Sequence, residues 1–116
     1  MIDMEDLDVC VRIANEAARL SPREWDYIHM PVTPDADDAF FAPLANLDIS
    51  GSRLFLGMIH FHEGQEEFKR RFEAASKYAQ DFGVASVCGF GRVSEDELDS
   101  VIKAHVDAAH VLERVA

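Results

Sequence analysis

The chain has 116 residues, enough for one domain, and its 22 acidic against 11 basic side chains give a net charge of -11. No basic stripe is available to neutralise phosphates, so this balance argues against a nucleic-acid partner, and it also disfavours binding to anionic membrane surfaces. A hydrophobic content of 48% with 28% charged residues is that of a globular protein and excludes a disordered chain. The simplest interpretation of the acidic surplus is solubility.

The number of cysteines and the composition of the first residues indicate in which cellular compartment the protein is expected. Cys10 and Cys88 are too few for a disulfide framework and have no C-x-x-C spacing. The first eight residues carry four acids and no basic segment, which is not the pattern of a signal peptide. No apolar run approaches the roughly 20 residues that a membrane span needs. We therefore expect a cytoplasmic protein without a membrane partner.

The first half of the chain predicts one helix and two strands. Apolar residues at spacings of three and four predict an amphipathic helix over 3–20. The aromatic and β-branched run 25–30 predicts a short strand, which Pro31 stops. A polar loop and a mixed segment over 39–47 follow. A nearly continuous apolar run then predicts a strand over 53–60 that is covered on both faces.

The second half repeats this alternation. Aromatic residues and alanines recur on one face of a predicted helix over 64–80, which a Phe-Gly pair ends. A third short strand is predicted over 84–88. Ser94 and Glu97 have the spacing of a capping box and open a last helix predicted over 95–113.

Strands that alternate with helices predict βαβ units and parallel pairing, so the predicted fold class is α/β. A sheet of only three strands leaves both outer strands with unpaired edges. A central strand buried on both faces also needs more cover than three helices readily supply. The sequence leaves three possibilities open: the chain pairs with itself, pairs with a missing part, or is a cut piece of a larger fold.

Polar and reactive residues stand at the end of each predicted strand. His29 lies at the end of the first, His60 and His62 at the end of the second, and Cys88 at the end of the third. Because the carboxyl ends of neighbouring parallel strands meet at one edge, we expect His60, His62 and Cys88 within reach of one another. Imidazole nitrogen and thiolate sulfur are zinc ligands, so one hypothesis is a metal site at this edge.

The same residue types have simpler interpretations. A cysteine in an apolar strand is most often a small buried hydrophobe, and Cys10 in the first helix is interpreted as packing. A histidine at a strand end more often hydrogen-bonds a loop than binds a metal. His105 and His110 are interpreted as surface or half-buried residues of the last helix.

Glycines follow the third predicted strand in the segment Gly89-Phe90-Gly91-Arg92. Glycines between a parallel strand and a helix can cradle a phosphate or a carboxylate, with Arg92 as a forked partner. A lone G-x-G is weak evidence, since the full G-x-G-x-x-G pattern is absent and Ser94 stands in the third position after Gly91. A tight strand-to-helix turn explains the glycines equally well.

Four segments resemble the C-terminal part of the cobalamin-independent methionine synthase-like proteins, in the superfamily that also holds uroporphyrinogen decarboxylase. The resemblance extends over about residues 5–112. The most specific segment is the last of the four, which are 27–32, 41–44, 56–60 and Asp81-Phe82-Gly83-Val84-Ala85-Ser86-Val87-Cys88-Gly89-Phe90-Gly91-Arg92.

This resemblance implies a partial (β/α)8 TIM barrel, with the chain supplying about the last three βα units of parallel strands, because a full barrel needs about 250 residues. It also implies zinc as cofactor and methyl transfer to a zinc-bound thiol such as that of homocysteine. Cys88, followed by glycine, is similar to a zinc ligand of the family, and His62 to a histidine that assists proton transfer. The residues expected to contact substrate are His29, His60 and Arg92.

Departures from the family pattern limit what the chain can do alone. His60 stands where those enzymes tend to have an aspartate. The other zinc ligands of the family come from earlier strands, and no residue before position 25 supplies them. The leading hypothesis is therefore a C-terminal fragment of such a methyltransferase, inactive alone, whose small-molecule substrate binds only when a missing N-terminal barrel part completes the fold.

Two alternatives belong to other classes. One is a non-catalytic small α/β protein that self-associates and retains the barrel motifs as folding elements. The other is a metal-independent decarboxylase-like relative, which would rely on arginine and aspartate around an acidic substrate. Arg92 is the one plausible arginine for that role.

Overall fold

A computed structural model describes residues 5–23, 25–49, 51–61, 63–86 and 94–115. The helices are α1 Asp8–Leu20, α2 Asp38–Phe41, α3 Gln65–Ser76 and α4 Leu98–Val115, and the strands are β1 Tyr27–Pro31, β2 Arg53–Ile59 and β3 Gly83–Ser86. Two short 3-10 helices accompany them, Ala42–Asn46 directly after α2 and Glu95–Glu97 directly before α4.

Local chemistry sets several of these boundaries. The carboxylate of Asp37 accepts a hydrogen bond from the amide of Phe40 at 3.1 Å and so caps α2, within the segment where the sequence pattern was mixed. At the start of the last helix, the hydroxyl of Ser94 bonds the carboxylate of Glu97 at 3.3 Å instead of a helix amide, and the chain makes one 3-10 turn first. Helix α3 ends at Ser76, before the predicted residue 80, and Asp81 then takes a left-handed conformation with φ 56°.

The three strands form one parallel sheet in the order β1-β2-β3, which is their order along the chain. Tyr27 to Pro31 pair with Arg53 to Gly57 in a continuous register. The pairing of β2 with β3 begins at Phe55 and Gly83 and is irregular between Leu56 and Ile59. The described chain is therefore of mixed α/β class with parallel pairing.

One face of the sheet carries the core. Leu54, Leu56 and Met58 of β2 are buried in a single apolar cluster, together with Met30 of β1 and residues from all four helices. From the helices this cluster takes Val11, Ala14, Phe40, Phe41, Phe68, Ala74, Ala75, Ala104, Ala108 and Val111. The helices therefore cover the face of the sheet to which Leu54, Leu56 and Met58 point.

The other face of the sheet, which we call the open face, is less well covered. The side chain of Tyr27 is 63% exposed, and Phe55 is only partly buried. Their rings meet edge to face at 5.8 Å, and the guanidinium of Arg53 lies 5.4 Å from the centre of the Phe55 ring. The expectation that the central strand is covered on both faces is therefore wrong for its first residues. On the open face, Arg53 is exposed and Phe55 is only partly buried.

The helices pack side by side in chain order. Helix α1 lies against the 3-10 helix 42–46, α2 against α3, and α3 against α4, so α1 and α4 are the outer helices of the layer. The large apolar side chains that stay exposed lie on these two helices and near β1, namely Val9, Ile13, Leu20, Trp25, Tyr27, Leu98, Ile102 and Val106. Within the described ranges, no helix is both long and apolar enough to cross a membrane.

Candidate functional site

The carboxyl ends of β1 and β2 meet at a loop over residues 32–36, which we call the rim loop. His60 holds the carbonyl of Val32 through Nε2 at 2.7 Å. Helix α3 supplies two further donors, because Arg71 bonds the carbonyl of Pro34 at 3.0 Å and Arg70 that of Ala36 at 2.7 Å. The carbonyls of Val32, Pro34 and Ala36 thus each accept a hydrogen bond from a side chain, and these bonds fix the conformation of the rim loop. The loop lies at the carboxyl ends of the strands, where the functional sites of parallel sheets are usually found.

Arg71 is a buried side chain that hydrogen-bonds several segments at this end of the sheet. Its side chain is fully buried. Nε and Nη2 bond the carbonyl of Met58 in β2 at 3.2 and 2.9 Å, and the guanidinium also forms a forked pair with the carboxylate of Glu63. These contacts tie β2, the rim loop and the loop after β2 to one helix.

Arg71 was not among the residues that the sequence singled out. The available signal was its position three residues after Phe68, on the face of the helix that carries the apolar residues. A charged residue on the buried face of an amphipathic helix has to be paired, since an unpaired buried charge is very costly. Its partners lie 8, 13 and 37 residues away along the chain, which no local pattern reveals.

His60 is a neutral histidine in this setting. Burial and the positive charge of Arg71 lower the pKa of its ring, and they outweigh the carbonyl of Val32 and the carboxylate of Glu63, which act in the opposite direction. The proton of the neutral ring is then on Nε2, which donates a hydrogen bond to the carbonyl of Val32. Nδ1 is left as the acceptor, the arrangement of a histidine that can take up a proton from a bound molecule.

A small cavity of ≈ 10 Å³ lies beside His60, between the loop after β2 and helices α3 and α4. Its polar lining comes from His60, Glu63 and Asp107, and its apolar lining includes Phe68. This volume matches one water molecule, and the polar groups are sufficient to bind it.

Asp107 adds a fixed negative charge to this cavity. Hydrogen bonds from Lys103 at 2.7 Å and Gln65 at 3.3 Å lower the pKa of its carboxyl group. Next to the cavity, an open groove of ≈ 340 Å³ runs between Glu63, Gly64 and the first turns of α4. The arrangement offers a neutral base, an ionised acid and a water-sized space, the elements of proton transfer.

His29 is placed differently from His60. It lies in the middle of β1, and its imidazole extends over Gly57 on the open face. A side chain at position 57 would meet Nε2 of His29 at 2.9 Å and the carbonyl oxygen of Ser86 at 3.2 Å, so the glycine makes room for the ring. His29 thus lies on the open face, whereas His60 bonds the rim loop.

The other predicted site residues, His62, Cys88 and Arg92, lie outside the described residues. In the described ranges, no group of three or more His, Cys, Asp or Glu side chains is placed to hold a metal ion. His60 directs Nε2 to a carbonyl oxygen as a donor, which is not the role of a ligand atom. The described residues therefore do not form a zinc shell by themselves.

The remaining histidines and Cys10 have ordinary surroundings. Cys10 is half-buried in α1, and burial raises the pKa of its thiol, which keeps the sulfur in its less reactive form. The ring of His105 bonds the carbonyl of Val101 at 2.7 Å, one turn earlier in α4, and His110 is exposed on the same helix.

Comparison with known proteins adds no relative. No model of a protein family, no curated protein and no solved structure matches the chain. A function has to be inferred from the residues and their geometry.

Proposed function

We propose that the chain is a three-strand βα unit of a methionine synthase-like methyltransferase barrel, inactive alone, which takes part in methyl transfer to a thiol when further strands complete the sheet. One observation carries the proposal. The strands follow one another in chain order, and the helices cover one face of the sheet, which is the local arrangement of a (β/α) barrel wall.

The uncovered surfaces support the same proposal. In a barrel, the open face would line the interior and the free edges of β1 and β3 would pair with further strands. The glycines at 57 and 83 suit an interior of this kind, because they leave space for the rings of His29 and Phe55. The exposed apolar side chains of α4 would pack against a neighbouring helix.

The surroundings of His60 support proton transfer as part of the proposed activity. A thiol is a far better methyl acceptor as thiolate, so a group that removes its proton assists the reaction. His60 is neutral beside a water-sized cavity and has an acceptor nitrogen, and the resemblance adds His62 as a proton-transfer group. Cys88 as zinc ligand, with Arg92 and His29 as substrate contacts, belongs to the proposal through the resemblance alone.

The test is zinc binding by the purified chain, with Cys88→Ser beside Cys10→Ser as the matched control. We expect zinc affinity to fall at least about tenfold in Cys88→Ser and to stay unchanged in Cys10→Ser, because Cys10 is half-buried in helix α1 and burial raises the pKa of its thiol. Tight zinc binding that is equal in the two variants would refute the role of Cys88 as a zinc ligand. Methyl transfer from a methyltetrahydrofolate to homocysteine by the chain alone would refute its incompleteness.

A second candidate is a non-catalytic protein that self-associates. The observation that favours it is the concentration of exposed apolar side chains on the outer helices, because isolated exposed apolar residues are ordinary but stripes mark contact surfaces. Solution mass as a function of concentration tests this candidate independently of zinc.

A further inference from the structure

The outward side of α1 has an apolar stripe. Val9, Ile13 and Leu20 recur at spacings of four and seven and are 56%, 64% and 68% exposed. Val11 and Ala14, on the opposite side of the helix, are buried in the core. The helix therefore has two apolar sides, and only one of them is used within the described chain.

Charged residues follow one flank of this stripe in alternating order. Asp8, Arg12, Glu16 and Arg19 succeed one another as acid, base, acid and base, and at 100° per residue they lie on the same side of the stripe. They form two exposed pairs along the helix, Asp8 with Arg12 at 3.0 Å and Glu16 with Arg19 at 2.6 Å. Two acids and two bases leave α1 without net charge in a chain of -11, so repulsion between copies is weak here.

We propose that a second copy of this chain binds to the outward side of α1, with the two α1 helices antiparallel about a two-fold axis that is level with residues 13 and 14. In this arrangement the same flank of each helix faces its copy in reverse order. Arg12 then lies opposite Glu16 of the second copy, and Asp8 opposite Arg19 of the second copy. The alternating charges are therefore complementary to themselves, as an isologous interface requires.

Helix α4 does not offer an equivalent match. Leu98, Ile102 and Val106 also form an exposed apolar stripe. Reversal of α4 about the middle of that stripe brings Lys103 next to Lys103 of the second copy, which is repulsive. The charge pattern thus selects α1 over α4 for contact between copies.

The size of the contact sets its strength. A helix of 13 residues is about 20 Å long, so a pair of them buries less than the roughly 1,200 Å² of a stable interface. We expect a weak dimer that dissociates on dilution, with rim-type ion pairs that weaken as salt is added. The inference does not depend on the methyltransferase proposal, since it uses only α1.

Sedimentation of the full chain between about 10 µM and 1 mM tests the inference. We expect Ile13→Asp to raise the dimer dissociation constant at least about tenfold, because it places two carboxylates at the centre of the apolar stripe. Ile102→Asp is the matched control on the other outer helix, and we expect it to leave the constant unchanged. Circular dichroism verifies that both variants are folded.

A charge exchange tests the antiparallel arrangement itself. Arg12→Glu and Glu16→Arg should each weaken the dimer, because like charges then face each other. The double variant should restore dimerisation, because positions 12 and 16 again carry opposite charges across the axis. The inference is overturned by a wild-type chain that is monomeric at about 1 mM, by equal effects of Ile13→Asp and Ile102→Asp, or by a double variant as weak as the single ones.

Discussion

The two faces of the sheet are made by alternate residues of the same strands and differ in how complete they are. On the helix-covered face, Leu56 and Met58 are fully buried, and every described side-chain nitrogen or oxygen that is buried has a hydrogen-bond partner. On the open face, Tyr27 is mostly exposed and Phe55 is covered only in part. The stability of the unit therefore comes from the covered face, while the open face and the outer helices are available for contacts with other strands or chains.

Removal of Arg71 should have the largest effect on the covered face. Arg71→Met leaves the carboxylate of Glu63 without its partner and removes donors from the carbonyls of Met58 and Pro34. We expect the free energy of unfolding to fall by about 3–5 kcal/mol, measured by urea unfolding. Arg70→Met is the control, because this side chain is half-exposed and should cost about 1 kcal/mol.

Equal losses for the two arginine variants would contradict this account. Arg71 would then be a buried group whose bonds contribute no more than those of a surface residue.

Truncation of a side chain should distinguish the two faces directly. Leu56→Ala removes a fully buried side chain from the core and should cost about 2–5 kcal/mol. Tyr27→Ala, on the open face, removes mainly the edge-to-face contact with Phe55 and should cost about 1 kcal/mol or less. Thermal and urea unfolding of both variants provide the comparison, and a larger loss for Tyr27→Ala would mean that the open face is covered in solution.

Gly57 marks a place where the open face is tightly packed. Gly57→Ala puts a methyl group against the ring of His29 and the carbonyl oxygen of Ser86, and we expect a loss of about 1–3 kcal/mol. In a His29→Ala background the loss should be smaller, because only the carbonyl contact remains. A double-mutant cycle from unfolding curves measures the coupling, and additive losses would show that the ring does not occupy this space.

The smallest expected effect is a pH dependence from His60. The pKa of its ring is lower in the folded chain than the value of about 6.5 in the unfolded chain. As pH falls below about 6.5, the unfolded chain takes up a proton that the folded chain resists, so stability falls. Above that pH both states are neutral and the contribution is constant.

His60→Gln should flatten this decline while an amide remains to donate to the carbonyl of Val32. The control is His110→Gln, on the exposed side of α4, which should keep the wild-type slope. Urea midpoints at about pH 7.5 and pH 5.5 measure the difference, and an unchanged slope in His60→Gln would assign the decline to other groups.

The fold class follows from local patterns, and the site does so only in part. Residue spacings of two predicted the strands, and spacings of three and four predicted the helices that alternate with them. The described strands are parallel, as this alternation indicates. The apolar run over 53–60 suggested two covered faces, yet coverage depends on elements distant in the chain. The rim loop is held by hydrogen bonds from His60, Arg70 and Arg71, whose partners lie 28 to 37 residues away in the chain. Local sequence patterns extend over a few residues only, so they do not predict these pairs.

The fastening of the rim loop has a consequence for the order of events during synthesis. Val32, Pro34 and Ala36 emerge from the ribosome well before the side chains that bond their carbonyls, and the last of these belongs to α3. Until α3 has formed, the carbonyls of Pro34 and Ala36 lack their arginine donors, and closing the intervening stretch of chain costs entropy. A nascent chain that stops before residue 70 should thus be cut by a protease within 32–36, and one that includes α3 should resist cleavage there.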